Sequence, residues 1–217
     1  MPRLPEPPGS AATSAAPFVP DRPTLPKLEE AAAGCRGCEL WEPATQVVFS
    51  RGAASARLML VGEQPGDQED RQGEPFVGPA GRVLDDALEA AGVDRQEVYL
   101  TNAVKHFRHQ QRGKRRIHQK PDLRHLVACA PWLEAELGLV DPDVVVALGA
   151  TAGRALLGRT VRIGAERGQV IEAPSGRATV ITTHPSALLR LRERSDRDEA
   201  FEGLVADLRV AAQAAAG

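Results

Sequence analysis

The chain is poor in the features that mark several large protein classes. Its 217 residues include three cysteines, too few and too odd a number for a disulfide scaffold. No apolar run approaches the roughly eighteen residues that a membrane span needs. The first 26 residues are rich in proline and alanine and lack the apolar core of a signal peptide. These absences predict an intracellular, cytoplasmic protein with no membrane partner. Neither G-x-G-x-x-G nor G-x-x-x-x-G-K occurs, which removes the usual dinucleotide and P-loop signatures. The formal charge is only −2, so overall charge selects no class of partner. Aromatic residues make up 4 % of the chain, and one of them, Phe76, falls in the stretch densest in turn formers.

That stretch runs from Leu58 to Arg82. Leu58 to Val61 is a short apolar run that breaks at Gly62, the pattern of a buried strand emptying into a loop. Gly62, Pro65, Gly66, Gly73, Pro75, Gly78, Pro79 and Gly81 follow, with Glu63, Gln64 and Phe76 set among them. Glycine lets backbone approach a ligand closely, and proline fixes turns. A helix is predicted from Pro79 to Ala91, with Val83, Leu84, Ala87, Leu88 and Ala91 on one face. Loops at the carboxyl ends of strands are where α/β proteins place ligand sites.

Apolar runs at 98–103, 144–149 and 178–183 predict three more strands, alternating with helices at 123–137, 151–157 and 199–212. Continuous apolarity suits parallel strands buried on both faces. The expected fold is therefore α/β: a three-layer α/β/α sandwich around a central four-stranded parallel sheet. Residues 1–24 have the composition of a disordered tail, and a helix is expected from about residue 25 to Ala33. Residues 25–214 form one domain in this reading. Glu63, Asn102 and His184 then emerge on the same edge of the sheet.

Cys35 and Cys38 form a C-x-x-C at a helix end, open to three readings: a redox pair, half a metal site, or two buried thiols. Cys129 and His106 are candidate further ligands for zinc or an iron–sulfur cluster. Asn102 can read a nucleobase edge, because its amide offers donor and acceptor, or can simply cap a turn. Between Lys105 and His125 lie eight Lys/Arg and four of the five histidines against one acid, Asp122. That segment suits a phosphate backbone, with a solvated loop as the bland alternative. It shows no convincing helical or strand period and is expected to be a loop over 105–121.

Six ordered elements resemble the uracil-DNA glycosylase superfamily: GEQPG at 62–66, PFVGPAGR at 75–82, TNAVKH at 101–106, KRRIH at 114–118, ACAPW at 128–132 and HPS at 184–186. The match is closest to the iron–sulfur branch, family 4, and within it to the UdgX group, and it spans about residues 28–212. The resemblance implies a uracil pocket made by Gly62, Gln64, Asp67, Phe76 and Asn102, with Phe76 stacking on the base and Asn102 reading its edge. It implies that Glu63, His118 and His184 are catalytic and that Lys114, Arg115, Arg116 and Ser186 contact DNA. Cys35, Cys38, His106 and Cys129 would hold a 4Fe–4S cluster. Ordinary family 4 members have GEAPG, a fourth cysteine at position 106 and no KRRIH insertion; all three departures are shared with UdgX. In that group the inserted histidine captures the sugar covalently.

The implied activity is excision of uracil from single- or double-stranded DNA by a monomer, followed by attack of His118 on C1′, consuming one protein per uracil. His184, or backbone amides near Gln64, would hold the departing uracil anion. The neighbouring Lys114, Arg115 and Arg116 would keep the His118 imidazole neutral. Two alternatives stand beside it: a turnover glycosylase using water, and a binding module without chemistry.

Overall fold

The computed structural model describes residues 14–217. Four wholly or almost wholly buried strands form the centre: β2 (Leu58–Gly62), β3 (Val98–Asn102), β6 (Val144–Leu148) and β8 (Ala178–Thr182). They run parallel in the order β3-β2-β6-β8, with Leu60 paired to Leu100 and Val146, and Val146 to Val180. Two short antiparallel edge strands complete a six-stranded sheet: β1 (Ser50–Arg51) beside β3 and β7 (Val170–Glu172) beside β8. The predicted parallel sheet is thus the core of a mixed one. The edge strands escaped the sequence reading because two or three half-exposed residues carry no period.

Side chains alternate across the pleat and build two separate cores. Met59, Val61, Tyr99, Val145, Ala147 and Ile181 face one layer, packed with Leu28 of α1 (Leu25–Ala32), Trp132, Leu133 and Leu137 of α4 (Leu123–Val140), and Leu156 of α5 (Ala150–Leu157). Leu58, Leu60, Leu100, Val146 and Val180 face the other, against Leu84 and Leu88 of α3 (Pro79–Ala91) and Leu204 and Leu208 of α8 (Arg194–Ala216). Three layers follow from this alternation. Short helices α2 (Asp67–Gln72), α6 (Ile163–Glu166) and α7 (Pro185–Leu188) lie in the connections.

Two expectations are corrected. The expected tail is shorter than 24 residues: residues 16–18 form a 3-10 turn, Ala15 is buried, and its N–H donates to the Ala128 carbonyl at 2.7 Å. The rest of the expected tail, residues 1–13, lies outside the described residues. The basic segment is not a loop throughout but a β-hairpin, β4 (His109–Arg112) with β5 (Arg115–His118). Its two-residue turn begins at Gly113 with φ 57°, a conformation that favours glycine.

Candidate active site

The carboxyl ends of β2, β3, β6 and β8 open into a cavity of about 560 Å³, lined among others by Glu63, Gln64, Phe76, Asn102, His118, Thr151, His184 and Ser186. That volume suits a small organic ligand. A groove of about 640 Å³ elsewhere, around Leu25, Arg51 and Leu139, includes none of the predicted site residues.

Phe76 is held in place under strain. Its φ is 58°, a left-handed backbone that a bulky side chain rarely adopts, and such strain costs about 1–3 kcal/mol and collects at functional sites. Two glycines make room for it. A Cβ on Gly81 would lie 1.7 Å from the Phe76 carbonyl oxygen, and one on Gly62 would lie 2.7 Å from the Phe76 ring and 2.2 Å from the Asn102 amide oxygen. Gly62 therefore belongs to the pocket as the bare floor on which ring and amide meet. The loop carrying Phe76 is closed by Glu69, a residue sequence reasoning missed. Its buried carboxylate accepts N–H groups of Gly66 at 3.1 Å and Gly78 at 2.9 Å.

His184 caps α7 and stacks toward Phe76, ring centroids 6.5 Å apart and 29° from parallel. The Ser186 N–H donates to His184 Nδ1 at 3.1 Å, and the Ser186 hydroxyl lies 2.9 Å from the same nitrogen. Burial, with repulsion from His118 and Arg190, pushes the His184 pKa down to about 4. The ring is therefore neutral at pH 7, and because Nδ1 accepts, its proton sits on Nε2. A neutral Nε2–H is a hydrogen-bond donor that can stabilise negative charge. Ser186 is thus tied to orienting this ring.

His118 stands at the pocket mouth on β5, half-exposed, its Nε2 3.5 Å from Glu63 Oε1. Burial lowers its pKa below the ordinary histidine value, Glu63 opposes the shift and Arg190 adds to it. The direction agrees with the sequence expectation, but its sources do not. Arg116, expected to help by repulsion and to grip phosphate, is largely buried and ion-paired with Asp67 and Asp70, each at 2.5 Å. Asp67 is correspondingly outside the pocket lining, bound to Arg116 and Arg71. Lys114 and Arg115 are exposed at the hairpin tip.

Gln64 lines the pocket, yet its amide is committed elsewhere. Oε1 accepts the Arg108 N–H at 3.0 Å, and Nε2 donates to the carbonyls of Arg108 at 3.2 Å and Gln119 at 3.1 Å. These residues flank the hairpin, so Gln64 pins its base. The spacing of 44 and 55 residues left no sequence signal for this.

Asn102 is buried at the end of β3, and its own carbonyl accepts from Lys105 Nζ at 3.0 Å. The sequence places Lys105 in a basic segment suited to a phosphate backbone, with a solvated loop as the alternative. Lys105 is instead 1 % exposed and ion-paired with the fully buried Glu136 at 2.5 Å, in a network that includes Thr101 and Tyr99.

The three cysteine thiols are buried; burial is the main cause that pushes Cys38 up to about 11 and Cys129 up to about 12, with smaller contributions from the neighbouring thiols. Trp132 Nε1–H donates to Cys35 Sγ at 3.3 Å, and the Lys105 backbone N–H to Cys129 Sγ at 3.3 Å. Buried thiols with N–H donors aimed at sulfur suit a thiolate-bound cluster. His106, 6 % exposed, is neutral because burial lowers its pKa to about 4, and so keeps a free lone pair. Among the described residues, no three Cys, His, Asp or Glu side chains converge as a single metal ion would require.

Fold and site together define an α/β protein whose strand ends open into a pocket lined by an aromatic ring, an amide and a neutral histidine. The chain belongs to the uracil DNA glycosylase superfamily, whose sequence model matches residues 49–209. It is 37 % identical over 171 residues to the Type-4 uracil-DNA glycosylase of Thermotoga maritima, covering 78 % of this chain and 85 % of that protein. It is 34 % identical over 173 residues to the Type-4 enzyme of Pyrobaculum aerophilum, covering 76 % and 85 %. A Type-5 uracil-DNA glycosylase of Thermus thermophilus is 37 % identical over 121 residues, about half of each chain. No helix among the described residues is long and apolar enough to cross a membrane.

Proposed function

We propose that this protein excises uracil from DNA and is then captured on the abasic sugar by His118. The observation that carries the reading is the convergence of Glu63, Phe76, Asn102, His118 and His184 on one pocket from separate parts of the chain.

A base in a duplex must leave the stack before its glycosidic bond can be reached. Phe76 offers the flipped ring a stacking face, worth about 1–3 kcal/mol by the measure of other base-stacking aromatics. Asn102 supplies the donor–acceptor pair for the base edge. As the bond breaks, the electron pair leaves with uracil, and the Nε2–H of His184 stabilises the anion. The unprotonated ring nitrogen of His118 gives its lone pair to C1′. The proton on its other nitrogen passes to Glu63 and then to solvent, and the uracil anion takes a proton from water. An N-alkylated imidazole is a poor leaving group, so the sequence ends there. Lys114 and Arg115, exposed at the hairpin tip, bind flanking phosphates.

Cys35, Cys38, Cys129 and His106 would hold a 4Fe–4S cluster, which would supply a structural tie between the segment after α1, α4 and the base of the hairpin. The test is a denaturing gel of the protein with a uracil oligonucleotide. A heat-stable slow band that requires both uracil and His118 supports capture. Alkali-labile DNA without such a band indicates a turnover glycosylase. No free uracil at all indicates a binding module.

A further inference from the structure

Glu63 is flexible by nature and only 19 % exposed at its side chain, yet it must present one oxygen to His118. Oε1 does so at 3.5 Å, and the other oxygen, Oε2, accepts a short hydrogen bond from the Thr151 hydroxyl. Thr151 is 6 % exposed and is the second residue of α5, whose N-cap Gly149 directly follows the end of β6 at Leu148. Its β-branched side chain has restricted χ1 freedom, so the hydroxyl comes from a stiff arm on a rigid element. The first turn of α5 also presents the positive end of the helix dipole to the carboxylate.

We propose that Thr151 is a positioning residue that holds Glu63 in the rotamer facing His118, making a Thr151–Glu63–His118 relay of the capture step. Thr151 touches neither base nor sugar in this scheme; it acts through Glu63. The carboxylate oxygen bound by Thr151 cannot turn to solvent, so the other remains aimed at the imidazole as its proton departs. With the hydroxyl removed, Glu63 keeps only its 3.5 Å approach to a half-exposed ring. This inference rests on the proposed capture by His118.

The test uses Thr151→Val, which keeps the shape and removes the hydroxyl, and Thr151→Ser, which keeps the hydroxyl. Each is made in the wild-type protein and in a Glu63→Gln background, with a melting curve for every variant. Protein in excess is mixed with a uracil oligonucleotide, and both free uracil and denaturant-resistant adduct are followed in time. Thr151→Val should slow adduct formation about tenfold, the worth of one hydrogen bond to a charged group. Thr151→Ser should restore it to within about twofold, and Thr151→Val should add nothing to Glu63→Gln, because coupled residues are not additive. The proposal is overturned if Thr151→Val reacts like wild type, if serine fails to rescue, or if valine slows both backgrounds equally. Should wild-type protein release uracil without forming adduct, the capture reading fails instead. The same cycle, read on uracil release, then decides separately whether Thr151 works through Glu63.

Discussion

Replacing Gln64 with alanine tests how the hairpin is held over the pocket. The side chain makes three hydrogen bonds to the hairpin base, at 3.0, 3.1 and 3.2 Å, from a position 7 % exposed. At about 0.5–1.5 kcal/mol net for each bond, their loss weakens that attachment by about 1.5–4.5 kcal/mol. Even the lower figure shifts a local opening equilibrium about tenfold. The sheet strands do not depend on these bonds, so the effect should stay local. Amide hydrogen exchange is the assay. In Gln64→Ala, the Arg108 amide and the β4–β5 amides should exchange at least about tenfold faster, while those of β2 and β6 keep their protection. Adduct formation should slow, because His118 spends less time beside Glu63, while uracil release continues. Unchanged exchange in the hairpin would refute the reasoning outright.

Other outcomes follow from the same geometry. Phe76→Ala removes one stacking face and should weaken binding of a uracil oligonucleotide about 5- to 150-fold, measured by titration against wild type. Lys105→Met leaves Glu136 as a buried unpaired charge; we expect a loss of about 3–5 kcal/mol and a clear fall in Tm, with partial recovery in the Lys105→Met/Glu136→Leu pair. Adduct formation needs a neutral His118, so its rate should be flat above the ordinary histidine range and fall with acid only below it, since the folded pKa is lowered. A pH–rate profile that breaks above pH 7 would oppose this. Lys114→Ala/Arg115→Ala should reduce the salt dependence of DNA binding, by about 0.7–0.9 in the log–log slope for each phosphate that is no longer neutralised.

Much of the fold was legible because it rests on local signals. Strands such as VVVAL at 144–148 are buried on both faces and therefore read as unbroken apolar runs, and α3 announces itself by Pro79 at its start and Gly92 in the left-handed region at its end. The hairpin was not legible. Its strands HQQR and RRIH have little apolar alternation, and what holds them comes from Gln64 and from Asp67 and Asp70, far away in sequence. For the same reason Arg116 and Lys105 looked like solvent-facing cations. A sequence displays charges but not their partners, and both of these are neutralised by acids at least 31 residues away. Most residues that line the pocket were legible through motifs; Glu69 and Thr151 were not, because Glu69 acts through two backbone N–H groups three and nine residues away and Thr151 through one hydrogen bond to a residue 88 positions distant.

The most direct test of the central claim is the intact mass of the protein after reaction with a single-uracil oligonucleotide, followed by peptide mapping. Capture predicts a species equal to protein plus oligonucleotide minus uracil, one equivalent of free uracil per protein, and the modification on the peptide bearing His118. Many equivalents of uracil released by protein of unchanged mass would contradict it, and would make this chain a turnover glycosylase whose hairpin histidine bonds to nothing.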